Sequence, residues 1–258
     1  YLFGLPGENM DSGVLPQTIE ETAVTIEGTL KTGNRVYRVD GGPGWIEIKV
    51  PGCEENAVIS LLPYPSEKRL NEVLTESMEE KGLQKAYSQR VAMALNEGAR
   101  HFRPDTVNIA VSHLYVLGGI SSDSERDIQL GGAYVVEPSA IPKEAHYTAL
   151  GHLHRFQRVG GTETPCYYSG SPLCYSFSES NQQKKVIKVE ITPNGKTVVE
   201  PIPITAGKPM YLKRFSSYEE AIDWCGADEN QNKWLHIEIQ LQESLTNLQL
   251  EELNKLQD

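Results

Sequence analysis

A chain of 258 residues with 24 Lys+Arg against 35 Asp+Glu has a net charge of −11, which excludes a general nucleic-acid coat protein, because phosphate contacts call for clustered cations. Its 39% hydrophobic and 23% charged residues exclude a wholly disordered chain, and no apolar run approaches the ~18 residues of a membrane-spanning helix. Tyr1–Pro6 lacks the basic start and apolar stretch of a signal peptide, and four scattered cysteines (Cys53, Cys166, Cys174, Cys225) form no Cys-x-x-Cys pair, so the expectation is a cytoplasmic protein with reduced thiols.

The first stretch reads as strands divided by turns. Ala23–Thr29 and Val36–Asp40 are rich in β-branched residues, and Gly41-Gly42-Pro43-Gly44 is a turn ahead of the alternating Trp45–Val50. Ala57–Leu62 has the length and composition of a buried strand, stopped by Pro63 and Pro65. From about Glu67 to His101 the period turns helical. Leu70, Val73, Leu74 and Met78 share one face, and Tyr87, Val91, Ala94 and Leu95 share one after a break at Gly82. The charged residues between them face water, so this helix covers a sheet.

Thr106–Ser112 is a compact apolar strand that runs into His113, and Ala145–Leu150 is another that runs into Gly151-His152-Leu153-His154. Between them lie the polar loop Gly118–Gly132 and the strand-like Ala133–Glu137. After Tyr167–Pro172 come strands Val186–Ile191 and Thr197–Ile204, joined by a hairpin turn at Pro193-Asn194-Gly195. Composition shifts at Ala206–Pro209, dividing a main body, 1–206, from a small α+β appendage, 207–258. The appendage reads as strand Tyr211–Phe215, helix Ser217–Cys225 capped by Ser216 or Ser217, strand Trp234–Leu241 and helix Thr246–Gln257.

Chemistry concentrates at the strand ends, where α/β folds place reactive groups. His113 ends one strand, and His152 and His154 follow the next. In an extended His-x-His both rings point to one side, because strand alternation has period two. Three imidazoles gathered there make half of a transition-metal site suited to Zn, Mn, Fe or Ni, each ring needing an orienting partner for its second nitrogen. An isolated histidine is ordinarily a satisfied, partly buried side chain, and His101, His146 and His236 are read that way. No Gly-x-Gly-x-x-Gly, phosphate-cradling loop or Gly-x-Ser-x-Gly elbow is present. Asp123, Glu125 and Asp127 lack EF-hand spacing, so that run is read as a polar loop, with a role for Ser124, Glu125 and Arg126 in organising the neighbouring site as the lesser alternative.

Thr106–His113, Ser122–Arg126 with Gln129–Tyr134, Ala149–Arg155, and Tyr168–Leu173 with Tyr175–Glu179 together resemble the SbcD nuclease subunits, a branch of the calcineurin-like metallophosphoesterases. Leu62–Pro65 and the helix bearing Tyr87 and Ser88 extend the likeness over most of the chain. Gly-His-x-His alone marks only the superfamily; the Ser-Glu-Arg and Tyr-Ser-Gly-Ser-Pro-Leu blocks are more specific.

The resemblance implies an α/β (α+β) fold: the C-terminal part of a four-layer metallophosphoesterase β-sandwich flanked by helices, followed by a small α+β capping domain that positions DNA. It implies two divalent metal ions, typically manganese, with His113 and His152 on one and His154 on the other. Arg155, Tyr168, Ser169 and Ser171 become candidates for holding the DNA backbone. Further implications are an SbcC-type ATPase partner, double-stranded DNA ends and hairpins as substrate, a homodimer, and a role in DNA repair and recombination. The family's Asp-x-His, Gly-Asp-x-x-Asp and Gly-Asn-His-Asp motifs are absent from this sequence. The chain is therefore expected to begin just downstream of Gly-Asn-His-Asp. The bridging aspartate, the asparagine ligand and the histidine that assists the leaving group would lie upstream, and this segment alone would be inactive. Two other readings stay open: a non-catalytic interaction module of the same fold, and a phosphatase for a small phosphoester.

Overall fold

The computed structural model describes residues 26–32, 35–50, 52–65, 80–125, 134–192 and 194–256. Among them the dominant element is a mixed eight-stranded sheet. Its first half is an antiparallel meander of β1 (Ile26–Thr32), β2 (Arg35–Gly42), β3 (Trp45–Lys49) and β4 (Asn56–Leu62). At β4 the sheet turns parallel and continues through β5 (Thr106–His113), past β6 (Tyr115–Val116) and β7 (Val135–Val136), to β8 (Tyr147–Gly151). After β9 (Gln157–Arg158), β10 (Cys166–Tyr168) joins β8 in parallel, and β9 closes the edge. The C-terminal ends of β5, β8 and β10 therefore open at one edge of the sheet, the position where such sheets carry ligands.

One helix, α1 (Glu80–Ala99), covers a sheet face. Tyr87, Val91 and Leu95, four residues apart, are buried against Leu62, Leu114, Leu150 and Tyr168 in the largest core cluster. Contact is close at both ends. Ser60 Oγ donates to Leu95 O at 2.9 Å, and the Tyr87 hydroxyl donates to Pro65 O at 3.0 Å. A side chain at Gly98 would run into Gly44 O and Ser60 Oγ. The helix passes through Gly82 without the expected break. A glycine in a helix costs only about 1 kcal/mol, which the packing of the following turns outweighs. The expected first half of this helix, Glu67–Ser77, lies outside the described residues, as do Ala23–Thr25, Ala133 and Pro193. The opposite face holds Val39, Ile46, Ile48 and Ile59, with Ile109 and Val111 half-buried beside them.

Beyond the sheet, β11 (Lys185–Ile191) and β12 (Thr197–Pro203) form the expected hairpin, tied to the body where Thr197 Oγ1 donates to His146 O at 2.8 Å. The expected C-terminal elements follow as β13 (Met210–Phe215), α2 (Tyr218–Gly226), β14 (Trp234–Ile239) and α3 (Asn247–Lys255). β13 and β14 are parallel, so α2 lies in their crossover, and Phe215, Ala221, Cys225 and Leu253 make a small core of their own. Ser217 caps α2 by accepting from Glu220 N–H at 3.2 Å. Thr246 caps α3 in a reciprocal box with Gln249. Thr246→Ala is expected to cost about 1 kcal/mol, seen as a lower urea midpoint with an unchanged slope.

The fold class is thus mixed α/β as expected, with one large sheet and few helices among the described residues. No helix among the described residues is long and apolar enough to cross a membrane. The four cysteines are unpaired, and Cys166 and Cys225 are buried.

Candidate functional site

His113 and His152 meet because β5 and β8 are neighbours whose register sets His113 opposite Gly151. Position 151 has no room for a side chain: a Cβ there would sit 2.9 Å from His113 Nδ1. The two rings pack edge to face with centroids 5.3 Å apart, between Tyr64 at 6.0 Å from His113 and Tyr115 at 6.1 Å from His152. His152 has a φ of 109°, so the chain leaves the strand at that residue, and the expected extended His-x-His does not form. Period-two alternation therefore does not place these rings. The left-handed backbone turns His152 toward His113 and sends His154 into a separate pocket.

Burial lowers the pKa of His113, and the neighbouring His154 lowers it further. Burial likewise takes His152 down to about 4, helped by His113 and His154 and opposed by Glu125. Both rings are consequently neutral at pH 7, each with a lone pair. Among the described residues no hydrogen bond reaches either ring.

His154 sits in a polar network. Its Nδ1 lies 2.6 Å from Ser124 Oγ and 3.4 Å from Glu179 Oε1, and Ser124 Oγ donates a short hydrogen bond to that same oxygen. Glu179 is fully buried at the end of the Phe177–Glu179 turn. Its other oxygen accepts from Lys184 Nζ at 2.6 Å and from Tyr175 N–H at 3.3 Å. Burial alone would raise this carboxyl, but hydrogen bonds from Lys184, Ser124 and Ser122 outweigh it and hold it near 2. Lys184, also buried, donates further to His154 O at 3.0 Å and Ser171 Oγ at 2.9 Å. Glu125 completes the frame by accepting from His154 N–H at 2.7 Å and from the Ser122 N–H at 2.6 Å. Burial pushes its carboxyl up, and these hydrogen bonds bring it below the ordinary value.

No protein-family model matches the chain. Over 212 residues it is 41% identical to the SbcD subunit of the SbcCD nuclease of Bacillus subtilis (strain 168), a match covering 82% of this chain and 54% of that protein. The protein of the same name from Escherichia coli (strain K12) is 30% identical over 215 residues, covering 82% of the chain and 51% of that protein. The chain belongs to the SbcD family. It spans about half the length of the curated relatives it matches. A third SbcD protein, from Staphylococcus epidermidis (strain ATCC 12228 / FDA PCI 1200), is 29% identical over 153 residues, 59% of the chain and 40% of that protein.

The remaining residues expected from the SbcD resemblance divide by exposure. Arg155 and Ser169 are exposed and free to touch a ligand. Tyr168 is not. It ends the core strand β10 with none of its surface exposed, donating to Leu114 O at 2.8 Å and accepting from Val116 N–H at 2.9 Å. Ser171 is buried as well, donating to Leu173 O at 2.7 Å while it accepts from Lys184. Ser171 therefore holds the site together from behind. Lys184 and the buried role of Glu179 escape sequence reading, since both sit in short polar stretches without periodicity. The single cue is that Glu179 closes one of the SbcD-like blocks. Arg126 lies outside the described residues.

As a donor set, three imidazoles suit a divalent transition metal, and the two paired rings are already in the neutral ligating form. They do not complete a centre: among the described residues no group of three or more His, Cys, Asp or Glu side chains is arranged to hold a metal ion.

Proposed function

We propose that this chain supplies the histidine side of a two-metal DNA nuclease of the SbcD type. In this reading His113 and His152 hold one divalent ion, manganese by preference, and His154 holds a second, the carboxylate ligands coming from outside the described residues. When bound, such a pair neutralises a phosphodiester and lowers the pKa of the attacking water. The observation that carries the reading is the His113–His152 pair. Two neutral, partly buried rings, with no hydrogen bond to either among the described residues, stand edge to face at the open end of parallel strands. Neutral rings need shed no proton before ligation, and Gly151 keeps His113 free to turn its ring toward that of His152.

The names of the relatives support the nuclease activity and the SbcC-type partner in this reading. They describe a nuclease and the SbcD component of an SbcCD assembly. For this chain we read a cytoplasmic partner of an SbcC-type ATPase, acting as a homodimer on double-stranded DNA ends and hairpins in repair and recombination. Residues 1–206 belong to the metallophosphoesterase domain, and residues 207–258 form a cap that positions DNA. In this reading Arg155 and Ser169, both exposed, are assigned to the DNA backbone. With a net charge of −11, DNA contact must be local and strongly salt-dependent.

The test is a chimera joining the N-terminal half of the Bacillus subtilis relative to this chain. It is expected to degrade linear duplex DNA with manganese, and His152→Ala should reduce the rate on the order of 100-fold or more. Undiminished cleavage by the His152→Ala chimera would overturn the assignment.

A further inference from the structure

We propose that Ser124 and Glu179 are positioning residues that lock His154 as its Nδ1–H tautomer, so that Nε2 alone carries a free lone pair. The available hydrogens decide the tautomer. Glu179 is fully buried with Lys184 Nζ at 2.6 Å from one oxygen, so it is held as a carboxylate and can only accept. Ser124 has a single hydroxyl hydrogen, and its closest partner is Glu179 Oε1. With that hydrogen committed, Ser124 Oγ can only accept at its 2.6 Å contact with His154 Nδ1, which must therefore bear the proton. The direct 3.4 Å approach of Glu179 Oε1 to the same nitrogen favours the same tautomer. The backbone is fixed as firmly: Glu125 accepts from His154 N–H at 2.7 Å, while Ser171 N–H and Lys184 Nζ both donate to His154 O at 3.0 Å. Among the described residues no hydrogen bond reaches Nε2.

A histidine can ligate through either nitrogen, and the hydrogen bond at one determines which the other offers. Here a carboxylate acts through a serine, and Lys184 fixes the carboxylate. The tautomer stands on its own geometry; its use in holding a metal rests on the ligand role proposed above for His154.

The experiment is ring-nitrogen NMR of the chain labelled with 15N-histidine, His154 being assigned by comparison with His154→Gln. Wild type is expected to show His154 with a protonated Nδ1 and a bare Nε2. In Ser124→Ala the ratio of Nδ1–H to Nε2–H should fall roughly tenfold, as loss of one good hydrogen bond implies, and Ser124→Thr should restore it. The paired change Glu179→Leu with Lys184→Met removes both buried charges together and should lower the ratio likewise. A wild-type His154 protonated at Nε2 would overturn the proposal, as would a wild-type ratio in both Ser124→Ala and the paired variant. Zinc alone, added as a diamagnetic probe, separates the two readings. With zinc added to the chimera described above, whose N-terminal half brings the further ligands that reading requires, a shift of the His154 Nε2 resonance supports the ligand role, whereas the stated tautomer with no zinc response discards that role and leaves the positioning intact.

Discussion

Lys184→Met is expected to destabilise the protein by about 3–5 kcal/mol, because it leaves the carboxylate of Glu179 buried without its counter-charge. Glu179 has no exposed surface and Lys184 Nζ lies 2.6 Å away, so water cannot replace the missing ammonium. The pair need not stabilise the fold relative to apolar residues. Replacing both, Glu179→Leu with Lys184→Met, is expected to cost clearly less than Lys184→Met alone, since no unpaired charge remains. Urea unfolding of the two variants checks this, and equal losses would refute it.

The same pair has a distinct pH window. Folding lowers the carboxyl of Glu179 from 4.5 to about 2, so its contribution is complete above 4.5 and is lost as pH falls through about 2. His152 acts in a higher window. Its folded value of about 4 lies below the ordinary 6.5, so the unfolded chain takes up a proton first and stability declines from 6.5 down to about 4. Burial lowers His113 as well, so acid unfolding should show two descents, and His152→Asn should make the upper one shallower while leaving the lower unchanged.

Gly170→Ala is the second large effect. Gly170 has a φ of 83°, where a side chain costs about 1–2 kcal/mol on backbone grounds alone. Its Cβ would also lie 2.7 Å from His154 O and 2.9 Å from Phe156 N, both main-chain atoms. Moving that main chain loosens the bonds to His154 O from Ser171 and Lys184, each worth about 1 kcal/mol. The expected total is about 3 kcal/mol or more, together with a shifted ring signal for His154. Ser169→Ala, next to it but exposed, should stay within about 0.5 kcal/mol. If the two variants unfold at the same urea concentration, the close approach at Gly170 is not what holds the loop.

Whatever carries a period or a stop is legible in the sequence. Ala57–Leu62 ended by Pro63, Thr106–Ser112 ended by His113, and the C-terminal strands and capped helices all form where expected. Cys166–Tyr168 does not stand out, because three residues are too few to display alternation, and the following Ser-Gly-Ser-Pro reads as loop. The resemblance puts Tyr168 beside the ligand, whereas it lies in the core. The three histidines are visible from their places at strand ends. Their partners are not: Glu179 and Lys184 meet only because the chain folds back after the Phe177–Glu179 turn, a closure that no spacing rule encodes.

His152 adds one consequence. A residue with a side chain at φ 109° holds a conformation that glycine would adopt without penalty. The preceding residue is a glycine, yet the unusual torsion falls on the imidazole. The chain therefore gives up stability at the point where the ring must face His113. A glycine at position 152 would relax the backbone there and leave His113 facing empty space, so comfort and chemistry exclude each other at this one residue.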